Sequence, residues 1–381
     1  MIEVAKRLSH VEEYYFSKKL REVAFLKSQG KPIINLGIGS PDLAPPFKAT
    51  MLLKDSLDEE GASQYQSYKG LPELREAVAD FYSTRYKVSL SGQTEVLPLM
   101  GSKEGIMHIS MAFLNKGDKV LIPNPGYPTY AAVTKLVEAK PVFYNLNEEN
   151  NWLPDFVALE RMNLTKVKIM WINYPHMPTG TNAPNKFYDE VIAFGKRHNI
   201  LIVNDNPYSF VLNKKPISIM RYNNAKDVCL ELNSLSKTFN MSGWRVGMLV
   251  GDFKYIDAVL KVKSNMDSGM FYGIQKGAIE ALQCSDMWFV SLNSVYELRR
   301  ELIWQLADAL NCTYDKDTTG LFVWAKVPPL LKSEEFTDLV LKEHAIFLAP
   351  GTVFGSNGEG YVRFSLCAPE EIIKDAITRV K

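Results

Sequence analysis

The chain has 381 residues, of which 46% are apolar and 23% charged, with 44 Lys and Arg against 43 Asp and Glu. Its length favours two domains, and its near-zero net charge excludes the large basic field of a nucleic-acid-binding protein. The four cysteines form no CxxC pair, which excludes a disulfide scaffold and a cysteine-based zinc cluster. Neither a signal peptide nor an 18-residue apolar run is present, so we expect a cytoplasmic protein.

The predicted elements begin with an N-terminal helix that includes three consecutive aromatic residues, Tyr14, Tyr15 and Phe16. We interpret them as core residues, with closure over a substrate as the alternative. The extended segment "PIINLGIGSPD" follows. Further along, apolar residues fall on one helical face in residues 71–86 and again in residues 185–198.

Short apolar runs bounded by turn residues alternate with these helical patterns through the middle of the chain. Such runs are typical of strands buried on both faces, and their alternation with helices predicts a mainly parallel sheet. The predicted strands are "KVLIP" (119–123), "VKIMWIN" (167–173), "ILIVND" (200–205), "VCLELN" (228–233) and "VGMLVG" (246–251).

A long amphipathic helix follows residue 285, and "GLFVWAKV" (320–327) and "GYVRFSL" (360–366) are typical of strands in a second layer. We therefore predict an α/β fold with a large domain at residues 46–284. Residues 1–45 and 285–381 would form a smaller α+β domain.

Four polar clusters follow or lie within predicted strands, which is where ligands bind in such folds. In "MGSKEG" (100–105), Gly101 permits a tight turn and Ser102 is the predicted N-cap of a helix whose first N–H groups attract phosphate. In "NDNPYS", Asp205 ends a very apolar strand. It requires a cation or strong donor there, unless it only forms an Asx turn before Pro207.

The third cluster, "SLSKTFNMSGWRVG" (234–247), places Lys237 among hydroxyl groups, which is typical either of a phosphate site or of a solvated loop. In the fourth, Arg363 lies in an alternating apolar strand. It calls for an acidic partner, either a structural carboxylate or a bound one. Together the clusters supply a phosphate site, a buried acid, a buried amine and a carboxylate clamp. Pyridoxal 5′-phosphate, with its phosphate, ring nitrogen and aldehyde, matches that set, and no metal site is predicted.

At these motifs the chain resembles the class I/II aminotransferases of fold type I, the aspartate aminotransferase superfamily. "SLSKTFNMSGWRVG" is similar to the family signature SxSKxxxxxGxRxG, which makes Lys237 the Schiff-base lysine. "DNPY" resembles DxxY, which implies that Asp205 binds the pyridine nitrogen and Tyr208 the phenolic oxygen. The resemblance assigns the phosphate to Ser234, Ser236 and Arg245, and "GSKEG", which is similar to the family's GAK or GSK turn, implies backbone contacts at Ser102 and Lys103.

The same resemblance implies further contacts. In "PNPGYPTY", Tyr127 would stack on the cofactor ring, and in "GIGSPD" and "GYVRFSL" the Gly39 amide and Arg363 would bind the substrate α-carboxylate. In "YQSYKG", Tyr65 would reach the phosphate of the neighbouring subunit, which implies a homodimer.

One motif departs from the family. Where the family's NPTG turn has an asparagine that donates to the phenolic oxygen, "YPHMPTG" has Met177, preceded by His176. A thioether cannot donate a hydrogen bond. We expect the proton of the internal aldimine to be held more tightly, unless His176 or a water replaces the donor.

The resemblance implies a transaminase that works by a ping-pong mechanism through the Lys237 Schiff base, moving an amino group from an α-amino acid to a 2-oxo acid. An alternative is a β- or γ-eliminating lyase, such as a C–S lyase or an aminocyclopropane-carboxylate-synthase-like enzyme, which shares these motifs. A transcription regulator on this fold would require an added basic domain, and the resemblance begins near residue 33. "GSKEGIMH" and "NMDSGMFYGIQ" resemble the branch with LL-diaminopimelate and aspartate aminotransferases.

Overall fold

A computed structural model describes residues 2–381, so only residue 1 of the predicted smaller domain lies outside it. The helices are α1 Tyr15–Ser28, α2 Phe47–Asp55, α3 Pro72–Phe81, α4 Ser102–Phe113, α5 Pro128–Leu136, α6 Phe156–Glu160, α7 Asn185–His198, α8 Ala225–Val228, α9 Leu235–Thr238, α10 Phe253–Lys263, α11 Tyr272–Leu282, α12 Asp286–Ala309, α13 Ser333–His344 and α14 Glu370–Val380. The strands are β1 Ile34–Asn35, β2 Val96–Leu99, β3 Lys119–Asn124, β4 Lys140–Asn145, β5 Val167–Ile172, β6 Leu201–Asp205, β7 Cys229–Ser234, β8 Gly247–Gly251, β9 Thr313–Tyr314, β10 Phe322–Lys326, β11 Ile346–Phe347, β12 Ala349–Pro350 and β13 Tyr361–Ser365.

The centre of the molecule is a seven-stranded sheet in the order β2-β8-β7-β6-β5-β3-β4. All neighbours pair in parallel except β8, which is antiparallel to both β2 and β7. The five strands predicted from apolar runs are all present, with ends shifted by a residue or so. The sequence analysis did not predict β4, an edge strand whose residues are mostly exposed or half-buried, so it lacks the continuous apolar run of the inner strands.

The predicted helices are also present, with one change. The pattern over residues 71–86 is an α-helix only from Pro72 to Phe81, and its last turn is a π-helix that ends at Lys87 in the left-handed conformation (φ 61°). Proline at the first helical position is favourable because its missing N–H has no partner there in any case. The π turn buries Tyr82 and Tyr86 under the sheet.

A second, antiparallel sheet has the order β12-β13-β10-β9, and α12 and α14 pack together beside it. The N-terminal segment joins this part of the chain because β1 pairs in parallel with β11. The backbone N–H of Leu36 donates to the carbonyl of Phe347 at 2.9 Å, and that of Ser365 donates to the carbonyl of Leu36 at 2.7 Å. These bonds place residues 37–39 beside Arg363.

Across residues 2–381, none of the helices combines the length and the apolar character that crossing a bilayer requires.

Candidate active site

A cavity of about 620 Å³ lies at the edge of the large sheet where β5, β6 and β7 end and α4 begins. The second sheet and α1 contribute residues to its other side. All of the predicted site residues except Tyr65 line this one cavity, namely Gly39, Ser102, Lys103, Tyr127, Asp205, Tyr208, Ser234, Ser236, Lys237, Arg245 and Arg363.

The turn between β2 and α4 forms one end of the cavity. Gly101, not Ser102, is the N-cap of α4, so the predicted cap was wrong by one residue. The reason is conformational: the cap position has φ 89°, which favours glycine, and a Cβ there would clash with the guanidinium of Arg245. A Cβ on Gly247 would likewise lie 2.7 Å from the Ser102 amide nitrogen. This crowding leaves the first N–H groups of α4 beside Arg245, an arrangement that binds a phosphate.

Two buried hydroxyl groups complete that end of the cavity. The Ser234 hydroxyl donates to the Ser236 hydroxyl at 2.8 Å, and it accepts from the Ser236 amide at 3.1 Å. Ser234 thereby caps the single-turn helix α9. Lys237 lies on this helix, directly after Ser236. The guanidinium of Arg245 is held by a 2.8 Å bond to the Ser242 carbonyl.

Asp205, at the end of β6, is buried at the floor of the cavity. Its Oδ2 accepts a 2.8 Å hydrogen bond from the Tyr130 hydroxyl, whereas its Oδ1 has no partner in the structure. Burial raises the pKa of this carboxyl to about 6. Neither oxygen accepts from the backbone of the described chain, so the alternative of an Asx turn is not found. The free oxygen instead suits a cationic N–H donor from a ligand.

Lys237 is half-buried, and its ammonium donates to the Gly39 carbonyl at 2.5 Å. Burial lowers the pKa of the amine to about 8, with the positive charges of Arg363 and Arg245 acting in the same direction. An amine with a lowered pKa is both a better nucleophile and a better base at neutral pH. The alternative of a solvated loop is therefore wrong for this residue.

Arg363, on β13, is buried, and in residues 2–381 it has no carboxylate partner. Its Nη2 donates to the Gly37 carbonyl at 2.8 Å, its Nη1 lies 3.3 Å from the Met177 Sδ, and its Nε has no partner. Burial lowers the pKa of the guanidinium to about 10. The structural carboxylate that we considered is thus absent, and the unpaired donors are suited to a bound carboxylate.

Aromatic rings surround this guanidinium. The distance from its central carbon to the ring centroid is 3.8 Å for Phe322, 4.5 Å for Phe354 and 5.4 Å for Phe16. Tyr14 also lines the cavity, and the ammonium of Lys103 lies 4.6 Å above its ring. Tyr15 packs on Phe16 away from the cavity. Our interpretation of these N-terminal aromatics as core residues is confirmed for Phe16, which is buried in the core and also lines the cavity. Tyr14 and Tyr15 are half-buried against that core, and Tyr14 lines the cavity.

Met177 lies in the cavity wall and is 4% exposed. His176 does not line the cavity: its Nδ1 lies 2.8 Å from the Thr179 hydroxyl, and burial lowers its pKa to about 3, which keeps the ring neutral. His176 therefore does not replace the missing donor. The Asn173 amide is also engaged, because its Nδ2 donates to the Asp205 carbonyl and its Oδ1 accepts from the Met177 amide at 2.9 Å.

Several residues of the cavity were not predicted from the sequence. Tyr130 follows Tyr127 by three positions, so the helical spacing of "YPTY" was a usable signal. Phe322 and Phe354 gave no such signal, because tertiary packing alone brings their strand and turn to the cavity. The remaining predicted residue, Tyr65, is 91% exposed and lies outside the cavity of its own chain.

A separate cluster of ionisable residues lies on α4 and just beyond α10, where Glu104, His108 and Asp267 bring potential ligand atoms within 4.8 Å of one another. The ammonium of Lys263 lies 2.8 Å from Asp267 Oδ2. A cation is thus already present beside that carboxylate, and nothing else at the cluster indicates a metal.

The cavity fits pyridoxal 5′-phosphate group by group. The amides of α4 and Arg245 suit a phosphate, the unpaired Asp205 Oδ1 suits a protonated ring nitrogen, and the Lys237 amine suits an aldehyde. Two independent observations support this fit. A Cβ on Gly101 or Gly247 would clash at the phosphate end of the cavity, and Asp205 Oδ1 is buried without a hydrogen-bond partner.

Comparison with known proteins agrees with that chemistry. Residues 31–380 match the family described as aminotransferase class I and II. The LL-diaminopimelate aminotransferase of Dehalococcoides mccartyi (strain 195) is 38% identical over 381 residues, which is all of this chain and 98% of the relative. The solved structure of substrate-bound BacF from Bacillus subtilis has a TM-score of 0.95 at 34% identity and covers all of this chain and 97% of BacF. The aromatic aminotransferase of Pyrococcus horikoshii has a TM-score of 0.88 at 28% identity, with 98% of this chain and 96% of that chain covered.

These relatives support the prediction of a transaminase and give the eliminating-lyase alternative no support. The match spans nearly the whole chain, and the α/β architecture with its mixed large sheet and smaller second sheet agrees with the fold-type-I prediction. The chain therefore belongs to the class I and II aminotransferases, the pyridoxal-phosphate-dependent transaminases whose lysine, acid and arginine motifs its sequence contains.

Proposed function

We propose that the chain moves the amino group of an α-amino acid to a 2-oxo acid in two half-reactions at this cavity, with Lys237 at the reacting centre. The observation that carries the proposal is that one cavity holds an amine, a buried carboxylate with an unpaired oxygen and a buried guanidinium without a carboxylate partner in the described chain. When bound, pyridoxal 5′-phosphate supplies an electron sink for the pair left behind as the Cα–H bond of the amino acid breaks.

Lys237 has two tasks. Its amine would hold the cofactor aldehyde covalently and, once free of it, Nζ would accept the proton from the substrate Cα and donate it to the cofactor carbon. The lowered pKa of about 8 supports both tasks, since a larger fraction of the amine is neutral near pH 7 than in free lysine. The 2.5 Å bond to the Gly39 carbonyl fixes Nζ at the cavity before the cofactor arrives.

The other polar residues bind and orient. Asp205 Oδ1 holds the proton of the ring nitrogen, and Tyr130 keeps Asp205 in place through the 2.8 Å bond to Oδ2. Tyr208 donates to the phenolic oxygen, and Tyr127 stacks on the ring. Ser102, Lys103, Ser234, Ser236 and Arg245 hold the phosphate.

Arg363 and Gly39 bind the α-carboxylate of either substrate. The buried guanidinium has donors without partners, and a carboxylate that binds them is fixed by two parallel bonds. Since both the amino acid and the oxo acid have this group, one clamp serves both half-reactions.

We further propose a large domain at residues 46–284 and a smaller one at residues 1–45 and 285–381. The seven-stranded sheet lies between residues 96 and 251, and the four-stranded sheet lies between residues 313 and 365. The pairing of β1 with β11 supports the assignment of the N-terminal segment to the smaller domain.

A homodimer is proposed on the basis of an exposed apolar surface next to the cavity. It includes Phe47 on α2 (77% exposed), Tyr65 (91%), Met266 (57%) and Phe271 at the start of α11. The helices α2 and α11 pack against each other, and Gly269 lies against the backbone of Gln66, so the segments that carry these residues are neighbours. Apolar groups exposed together in this way mark protein interfaces. Tyr65 would then reach the phosphate in the partner's cavity.

We place the protein in the cytoplasm, because all four cysteines, Cys229, Cys284, Cys312 and Cys367, are free thiols.

The test of the proposed function is chemical trapping. Reduction of the cofactor-loaded protein with borohydride, followed by proteolysis and mass spectrometry, should place the pyridoxyl group on Lys237. A colourless protein, or a tag on a different lysine, would contradict the proposal. Product analysis with an amino acid alone should give no net release of ammonia, whereas a lyase would release ammonia and pyruvate without an acceptor.

A further inference from the structure

The residues that line the cavity can be divided by what they would contact. The polar residues discussed above surround the cofactor and the α-carboxylate. Apart from these polar residues, Met177 and Pro207, seven residues line the cavity and face the space left for the substrate side chain: Tyr14, Phe16, Ser17, Leu20, Ile38, Phe322 and Phe354. All but Ser17 are aromatic or aliphatic, and four of the seven lie on α1 or at its N-cap.

No acidic side chain is among these residues of the described chain, and no arginine other than Arg363 and Arg245 lines the cavity. Besides Lys237, the one additional cation in the lining of the described chain is Lys103, whose ammonium already lies 4.6 Å from the Tyr14 ring and whose backbone belongs to the phosphate-binding turn. Burial and the neighbouring charge of Arg245 both lower the pKa of Lys103.

A substrate side chain with charges at its far end would lose water at this wall without gaining a partner for each charge from this chain, and such burial is costly. A large uncharged side chain would instead remove apolar surface from water against Leu20 and Ile38, and an aromatic ring would also gain edge and stacking contacts with Tyr14 and Phe16.

We infer that the amino acid used by this site has a large uncharged side chain, and above all an aromatic one. This inference rests on the proposed function, since it takes Lys237 and Arg363 as the reacting centre and the α-carboxylate clamp. This inferred substrate differs from LL-diaminopimelate, the compound named for the Dehalococcoides relative, because LL-diaminopimelate has an ammonium and a carboxylate at the end of its side chain.

The experiment compares amino donors in single-turnover reactions of the cofactor-loaded enzyme. The visible band of the Lys237-bound cofactor is followed after mixing with L-phenylalanine, L-leucine, L-glutamate, L-aspartate or LL-diaminopimelate. We expect the apparent second-order rate constant to be highest for phenylalanine. It should exceed the rate constants for LL-diaminopimelate and the acidic amino acids by about 100-fold or more. A faster reaction of any charged donor would overturn the inference and leave the proposed function intact. If no donor alters the band, the proposed function itself fails.

A substitution pair tests whether α1 sets this preference. Leu20 is 41% exposed at the cavity wall, so Leu20→Arg adds a cation there without burying it. We expect the phenylalanine-to-glutamate rate ratio to fall about tenfold. The control is Phe25→Arg, which adds the same charge on the same helix at a position 63% exposed and outside the cavity. An equal change in both variants, or none in Leu20→Arg, would contradict the role assigned to α1.

Discussion

The hydroxyl of Tyr130 donates a 2.8 Å hydrogen bond to Oδ2 of Asp205, while Oδ1 of the same carboxylate is buried without a partner. In the protein without its cofactor, Oδ1 is thus available to accept a hydrogen bond from a protonated ring nitrogen. This arrangement has a thermodynamic consequence, because a buried carboxyl that lacks a cation ionises at a cost to the folded state.

Asp205→Asn is therefore expected to stabilise the cofactor-free protein in a pH-dependent way. The pKa of Asp205 is raised from 3.8 to about 6, so its contribution to stability is fully present below pH 4 and is lost as the pH rises through 6. The asparagine does not ionise. The free energy of unfolding of the variant relative to wild type should thus grow by up to about 3 kcal/mol between pH 4 and pH 8. Urea unfolding at both pH values measures it.

The same variant should lose turnover, since asparagine supplies no negative charge to the ring nitrogen. Asp80→Asn, at an exposed position on α3, is the matched control and should leave both properties nearly unchanged. If the stability difference of Asp205→Asn is the same at pH 4 and pH 8, the carboxyl ionises normally and its assigned environment is wrong.

The lowered pKa of Lys237 leads to a prediction about the rate at which the cofactor-free protein binds pyridoxal 5′-phosphate covalently. Only the neutral amine attacks an aldehyde, and burial lowers the pKa of Lys237 from 10.5 to about 8. The rate of covalent binding to added pyridoxal 5′-phosphate should therefore rise with pH and reach half its maximum near pH 8. Stopped-flow absorbance measures it, with Nα-acetyl-lysine as the unburied reference amine. A midpoint near that of the reference compound would show that Lys237 is not desolvated.

Met177→Asn tests the departure from the family motif. With the ring nitrogen at Asp205, the aldehyde carbon at Lys237 and the phosphate at Arg245, the phenolic oxygen is the ring substituent on the side away from the phosphate. Tyr208 is the donor expected there, since the Met177 thioether cannot donate. An added amide donor would withdraw charge from that oxygen, and the proton on the Lys237–cofactor bond would be released at lower pH.

We expect the pH midpoint of the visible band to fall by about one unit in Met177→Asn, which corresponds to one hydrogen bond of roughly 1.4 kcal/mol. Met177→Leu keeps the volume and has no donor, so its midpoint should remain that of wild type. Equal midpoints in all three proteins would mean that the missing asparagine has no electrostatic effect.

Residues that follow a strand directly could be predicted from the sequence, because the carboxyl ends of parallel strands meet at one edge of a sheet. Asp205 and Lys237 were found in this way, and the antiparallel β8 places Arg245 at the same edge. The environment of Arg363 could not be predicted. Phe16 and Phe322 contact its guanidinium from α1 and β10, segments about 300 residues apart whose packing no local pattern specifies.

Local signals also failed where the backbone conformation decided the outcome. Ser102 is a good capping residue by type, yet the cap position requires φ 89°, so Gly101 occupies it. Likewise β4 lies at the sheet edge, where Lys140 is exposed and most other residues are only partly buried. Its sequence therefore shows neither a continuous apolar run nor a regular alternation of apolar and polar residues.

The exposed Tyr65 leads to a prediction about two chains at once. If Tyr65 binds the phosphate in the partner's cavity, each site combines Lys237 of one chain with Tyr65 of the other. Lys237→Ala and Tyr65→Ala should each be inactive or nearly so at limiting cofactor concentration. Hybrid dimers of the two variants would contain one intact site and one doubly altered site.

Mixing the two variants under conditions that exchange subunits should therefore restore about one quarter of wild-type activity, because random exchange makes half of the dimers hybrid and each hybrid has one of two sites intact. The control mixes Lys237→Ala with Asp205→Asn. Those two residues line the cavity of the same chain, so a hybrid has no intact site and activity should stay absent. If the first mixture also remains inactive while size-exclusion chromatography shows exchanged dimers, Tyr65 does not act across the interface. Its 91% exposure would then need another explanation.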